Sequence, residues 1–208
     1  MIGKIAEERG YVVVAVTGYK PQATVVEGGY NNPFKMVPAP RPAAPPQGQR
    51  AGGGGGGAGR GPAPASATKE DFERSEMDIL YIADLVAKEY NTDPNRTYLM
   101  GNSAGGGAVW YLAQKYADRW TAISPSAGPL TPEEFPYVKM KNIPVLAVHG
   151  DQDTTMSYDA SKQMIELAKK AGLDATFLGV PGGSHTEAWT KVLPETFDFF
   201  EKYKTKKK

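Results

Sequence analysis

A serine sits between glycines in Gly101-Asn102-Ser103-Ala104-Gly105, directly after the short apolar run Tyr98-Leu99-Met100. A hydroxyl becomes a nucleophile only beside a base. The chain holds 2 histidines, His149 and His185. His149 directly follows an apolar run and precedes Gly150, which is the setting of a structural histidine. His185 lies in the loop Pro181-Gly182-Gly183-Ser184-His185 ahead of the last helical run, where its ring can swing toward Ser103. It is the expected base. A third group must orient the imidazole and compensate its charge. Asp151, Asp153 and Asp159 are within reach of that role. Asp159 fits the first turn of a helix, where an acid favours the dipole. Asp153 is preferred. Asp151 is the runner-up, better suited to bonding the backbone of its own loop. A metal bound by His149, Asp151, Asp153 and His185 is disfavoured, because His-x-Asp-x-Asp matches no ligand spacing and a third histidine is lacking. Neither a metal nor a cofactor is expected.

The turn around Ser103 has a physical rationale. A sharp strand-to-helix turn lifts the hydroxyl out of the sheet and strains its backbone, which demands small neighbours. Gly101 and Gly105 are expected to remove side chains that would collide with the adjoining strand and helix. The amide of Ala104, at the start of the next helix, is the natural donor to an oxyanion.

The rest of the chain supplies elements to position these groups. Strand-like runs are 97–100, 121–123, 145–148 and 175–180, and helix-like runs are 104–116, 158–171 and 187–203. Alternation of this kind predicts an α/β fold with a mainly parallel sheet. In such sheets functional residues gather at the carboxyl ends of strands, and the serine, the acid and the histidine each follow a strand-like run. Upstream, Ile2–Arg9 reads as a short helix stopped by Gly10. Gly10–Tyr19, with its β-branched run, reads as a strand buried on both faces. A long helix is expected from Thr68, its cap, to about Tyr90. Its period is traced by Met77, Leu80, Tyr81, Asp84, Leu85 and Lys88, with Ile79, Ile82 and Val86 widening the apolar stripe.

Composition sets bounds. The 208 residues suffice for one domain with a core, and a single domain over 1–208 is expected. Residues 38–66 are nearly all Pro, Gly and Ala, too poor in apolar side chains to offset the entropy of ordering them, and read as a mobile insertion. Their glycines lack the Lys-Ser/Thr and helix of a phosphate loop. A net charge of +1 gives no reason to expect nucleic acid or a membrane surface as partner. The Lys-rich end, Lys202–Lys208, reads as a solvated tail. Cysteine is absent, which excludes disulfides and a thiolate nucleophile. No apolar run is long enough to span a bilayer, and Met1–Gly10 is too charged for a signal peptide.

The stretches YLMGNSAGGGAVWYLAQKYADRWTAISPSAG, PVLAVHGDQDTTMSY and PGGSHTEAW resemble the α/β-hydrolase superfamily. The nearest group is the polyhydroxybutyrate-depolymerase-like and feruloyl/acetyl-xylan-esterase-like serine esterases, and IAEERGYVVVAVTGY is also similar to its helix and strand ahead of the nucleophile. The resemblance implies an α/β-hydrolase fold and a triad of elbow serine, acid of His-Gly-x-x-Asp and histidine of Gly-Gly-x-His. These motifs fall on Ser103, Asp153 and His185. It also implies ester hydrolysis through an acyl-enzyme, on aryl, sugar-acyl or polyester-type substrates, small or polymeric. A serine peptidase on the same fold, or a weakly active or inactive shortened hydrolase, are the alternatives. Relatives are often secreted.

The departure from the family lies upstream. The resemblance implies a further strand, ending in a His-Gly loop that supplies the second oxyanion amide, which this sequence does not contain. That strand would lie between the Tyr11–Val16 and Thr97–Met100 runs. The sheet is therefore expected to be abbreviated at its N-terminal side. Either those two strands pair directly, or a second copy fills the gap as a homo-oligomer, or the sequence is a piece of a longer chain. The second oxyanion donor is unassigned, with Thr17, Gly18 and Tyr19 the nearest candidates. Tyr19 and Trp189 are candidate substrate-binding residues, and Met156 and Tyr158 flank the acid loop.

Overall fold

A computed structural model describes residues 1–16, 35–40 and 69–204. The Thr68 cap, Thr17, Gly18, Tyr19, residues 41–66 of the Pro/Gly tract and the tail beyond Lys204 lie outside the described residues. Among the described residues, the α-helices and β-strands follow in the order α1 (Ile2–Glu8), α2 (Lys69–Glu89), β1 (Tyr98–Asn102), α3 (Ala104–Lys115), β2 (Ala122–Ser126), β3 (Val145–Gly150), α4 (Tyr158–Lys170), β4 (Ala175–Val180), α5 (Glu187–Lys191) and α6 (Leu193–Lys202). The four strands form one parallel sheet in the order β1-β2-β3-β4. Tyr98 pairs with Ala122, Ile123 with Val145, and Val145 with Ala175. No described helix is long and apolar enough to cross a membrane.

Both faces of the sheet are covered, as parallel strands require. Successive side chains point to opposite faces. Ile123, Val145 and Ala147 meet Val109 and Trp110 of α3 and Met164 and Ile165 of α4. Ala122, Leu146 and Val148 meet Ala188 of α5 and Phe199 and Phe200 of α6. β2 and β3 are buried along their whole length. Full burial of one such large apolar side chain is worth about 1.5–3 kcal/mol, so these two strands are the firm base from which the loops at their carboxyl ends project.

Three expectations are corrected. Tyr11–Val16 is not a strand buried on both faces. Val12, Val13 and Val14 are 41–47% exposed, and the backbone of Val12–Val16 bonds to no other described residue. A β-branched run favours extended backbone, but a strand exists only against a neighbour. A cleft of about 680 Å³, lined by Val12, Val14, Ile79, Tyr98, Met100 and Phe200 among others, separates this segment from β1 instead. Direct pairing of the two runs is thus not what the chain adopts. Second, the centre of the predicted stripe on α2 faces outward: Met77 and Tyr81 are 68% and 66% exposed. Phe72 and Leu80 are the residues of α2 packed against the core. Third, the expected helix 187–203 is two helices, broken at Val192, because Pro194 lacks the N–H that would continue the first and suits the opening turn of the second.

The stop at Gly10 has the expected cause, a φ of +70°. Lys35–Pro40 is anchored: the Val37 amide donates to Pro129, the Ala39 amide to Thr155, and the Val37 carbonyl accepts from Ser157. This segment straps the loop after β2 to the loop after β3.

Candidate active site

The carboxyl ends of β1, β3 and β4 deliver Ser103, Asp153 and His185 to one place. Ser103 Oγ lies 2.8 Å from His185 Nε2. Asp153 Oδ2 lies 2.7 Å from His185 Nδ1. The imidazole thus bridges the hydroxyl and the carboxylate through its two nitrogens. The Asp153 side chain is wholly buried, and that of His185 is 20% exposed, so the carboxylate is shut away from solvent while the imidazole is not.

The elbow is strained and tightly backed. Ser103 has φ 57° and ψ −122°, a region that costs a non-glycine residue about 1–3 kcal/mol. Its amide donates to the Ser126 carbonyl of β2 at 2.9 Å, and its carbonyl accepts from Gly107 at 3.1 Å. A Cβ on Gly128 would lie 2.4 Å from the Ser103 oxygen, and one on Gly106 2.3 Å from the Ser126 oxygen. A Cβ on Gly101 would meet the Gly105 backbone at 2.7 Å, as the sequence led one to expect. The expectation for Gly105 is wrong: a Cβ there meets nothing within 4 Å. Gly105 matters as the floor that Gly101 approaches. Gly106 and Gly128, which the motif does not point to, carry closer contacts than Gly101 does.

Asp153 is held by four N–H groups. Oδ1 accepts from the amides of Thr155 at 2.7 Å and Met156 at 3.0 Å. Oδ2 accepts from His185 and, at 2.8 Å, from Nε2 of His149. Burial alone would raise the carboxyl's pKa. The bonds from His185, Met156 and Thr155 overcome it and hold the group below the ordinary aspartate value. His149 is fully buried and does not reach Ser103; burial lowers its pKa despite the adjoining carboxylate. Its Nδ1 lies 2.6 Å from Ser161 Oγ. This contact with the acid was missed from sequence, although the four-residue spacing of His149 and Asp153 in one tight loop is the signal for it.

The remaining expected residues fall as follows. Asp151 accepts from the Gly182 amide at 2.8 Å and so ties the acid loop to the histidine loop. Asp159 lies in the first turn of α4. Ala104 is the first residue of α3, where amides lack intrahelical partners. Trp189, on α5 one turn past His185, is half-buried, and its Nε1 has no partner among the described residues. Met156 is buried, and the Tyr158 ring packs edge-on against His149 and Phe177. Tyr19 and Gly18 lie outside the described residues, as does any donor they would offer.

Solved structures share this arrangement of strands and helices. A thermostable esterase matches over 62% of the chain with a TM-score of 0.55 at 20% identity. A truncated carbohydrate esterase from gut microbiota matches over 64% of the chain and 69% of its own length, with a TM-score of 0.54 at 19% identity. The chain has the α/β-hydrolase fold. Within that fold, residues 53–135, which include the Ser103 elbow, match the model of the prolyl oligopeptidase family. A bifunctional acetylxylan esterase/xylanase of Neocallimastix patriciarum is 35% identical over 78 residues, 37% of this chain. The chain spans 11% of that enzyme's length and 36% of the thermostable esterase's.

Proposed function

We propose that this α/β-hydrolase cleaves carboxylic esters through an acyl-enzyme on Ser103. The observation that carries the reading is the 2.8 Å contact of Ser103 Oγ with an imidazole whose other nitrogen is held by a buried carboxylate. His185 Nε2 takes the hydroxyl proton as Oγ attacks the ester carbonyl. The Ala104 amide donates to the oxyanion. The proton then passes from His185 to the leaving alkoxide, which departs as the alcohol and leaves the acyl group on Ser103. Water attacks that ester, gives a proton to His185, and the acid leaves as Ser103 regains its proton. Asp153 keeps the proton of the neutral ring on Nδ1, so the lone pair faces Ser103. The names of the relatives favour acylated sugars among the ester classes.

A serine peptidase is the second reading, favoured by the match to the prolyl oligopeptidase model. One comparison separates the two. Initial rates are measured on p-nitrophenyl acetate, acetylated xylan and a peptide p-nitroanilide, for the wild type and Ser103→Ala. The expected result is hydrolysis of the esters, lost in Ser103→Ala. Equal rates for the two proteins overturn the nucleophile. Faster turnover of the anilide than of the esters replaces the esterase with a peptidase.

A further inference from the structure

Asp153 Oδ2 is shared by two histidines, and each histidine in turn meets a serine. One arm is Ser103–His185, at 2.8 Å and 2.7 Å. The other is Ser161–His149, at 2.6 Å and 2.8 Å. The first arm opens to solvent. The second is sealed: His149 is 0% exposed and Ser161 5%. The catalytic reading uses only the first.

The protons of the sealed arm follow from the chemistry of its partners. An ionised carboxylate only accepts, so the nitrogen of His149 that faces it carries hydrogen. Burial keeps the ring neutral, which leaves a lone pair on Nδ1. A buried acceptor needs a donor, and the Ser161 hydroxyl, fixed on the first turns of α4, is the one in reach. Ser161 thereby sets the tautomer of His149 just as Asp153 sets that of His185. The groups facing the His149 ring are Asp153 and the backbone of Met156 from its own loop, His185 through that carboxylate, and Ser161 and Tyr158 from α4. Asp151 of the same loop turns outward to Gly182.

We infer that His149 is a positioning residue for catalysis: its Nε2–H, locked in place by Ser161, aims Oδ2 of Asp153 at His185. The two backbone amides fix only Oδ1. Without His149, Oδ2 is held by the moving partner alone. This inference rests on the serine-hydrolase reading, and its test keeps the two apart.

Three measurements serve. In ¹⁵N-histidine-labelled wild type at pH 7, His149 is expected as the neutral Nε2–H tautomer; with two histidines in the chain, a His185→Gln sample assigns the signals. A neutral Nδ1–H ring or an imidazolium overturns the proposal, whatever the activity. In ester hydrolysis, His149→Phe is expected to lower kcat about tenfold, the low end of what losing an outer hydrogen-bond partner costs at metal sites, with KM little changed. His149→Gln, whose amide N–H reaches the place of Nε2, is expected to restore kcat. A folded His149→Phe with wild-type kcat overturns the proposal, as does a folded His149→Gln no better than His149→Phe. Should His149→Phe not fold, His149→Gln and the tautomer decide. If Ser103→Ala proves as active as wild type, the hydrolase reading falls, and the tautomer still tests the sealed arm.

Discussion

Gly150→Ala separates the acid loop from the histidine loop with a single methyl group. A Cβ on Gly150 would lie 2.0 Å from the carbonyl oxygen of Gly183 and 2.5 Å from its carbon. Carbon–oxygen contacts settle at about 3.3 Å, so the two loops must part by more than about 1 Å. Neither partner is a flexible side chain: Gly150 ends β3, and Gly183 accepts the Gln152 amide at 3.1 Å. Asp153 and His185 ride on these two loops and meet at 2.7 Å. Adding the separation carries that contact past the hydrogen-bond limit. A misplacement of about 1 Å costs roughly a hundredfold in rate, and overpacking costs about 1–3 kcal/mol of stability. The assay is kcat/KM on p-nitrophenyl acetate beside a urea melt, with far-ultraviolet circular dichroism to establish that the variant is folded. A loss near a hundredfold, mostly in kcat, is expected. A folded Gly150→Ala of wild-type activity would refute the claim that this close approach sets the Asp153–His185 geometry.

Ser103→Gly should be more stable than Ser103→Ala by about 1–3 kcal/mol, because glycine relieves the positive φ and alanine keeps it; equal urea midpoints would remove the strain. Gly105→Ala should stabilise the fold by up to about 1 kcal/mol in urea melts, since a Cβ at that helical position meets open space; a destabilised variant contradicts that spacing. Acid should destabilise the fold in two stages. His149 has a folded pKa below its ordinary 6.5, so the unfolded chain binds the extra proton and stability falls as pH drops below about 6.5. Asp153 has a folded pKa below 3.8, so its contribution is present above about 4 and is lost as pH falls through the depressed value. A stability that stays flat in urea melts between pH 6.5 and 4 would contradict the buried neutral ring.

The alternation of strands and helices, and the strand ends that hold Ser103, Asp153 and His185, were legible because period and turn residues are local signals. What stayed hidden depends on neighbours. Val12–Val16 has the composition of a strand, but composition does not report whether another strand lies alongside. The period of α2 marks an amphipathic helix, yet Met77 and Tyr81 point away from the core, because period does not say which stripe is covered. Pro194 did carry the signal for the break between α5 and α6. His149 read as structural because burial follows from its flanking strand, whereas its meeting with Asp153 follows from how tightly the loop turns.

The cleft beside β1 has a consequence for handling the protein. Among the described residues, β1 pairs with β2 alone, and Val12–Val16 offers a second row of unclaimed backbone groups across the gap. Three neighbouring valines there are exposed, with no Lys or Pro among them to act as a gatekeeper. Open, apolar edges of this kind template β-aggregation. Among the described residues, the strand that leads into Ser103 is thus an open edge that invites colloidal loss in concentrated solution. A lysine placed at Val13 would supply the missing gatekeeper.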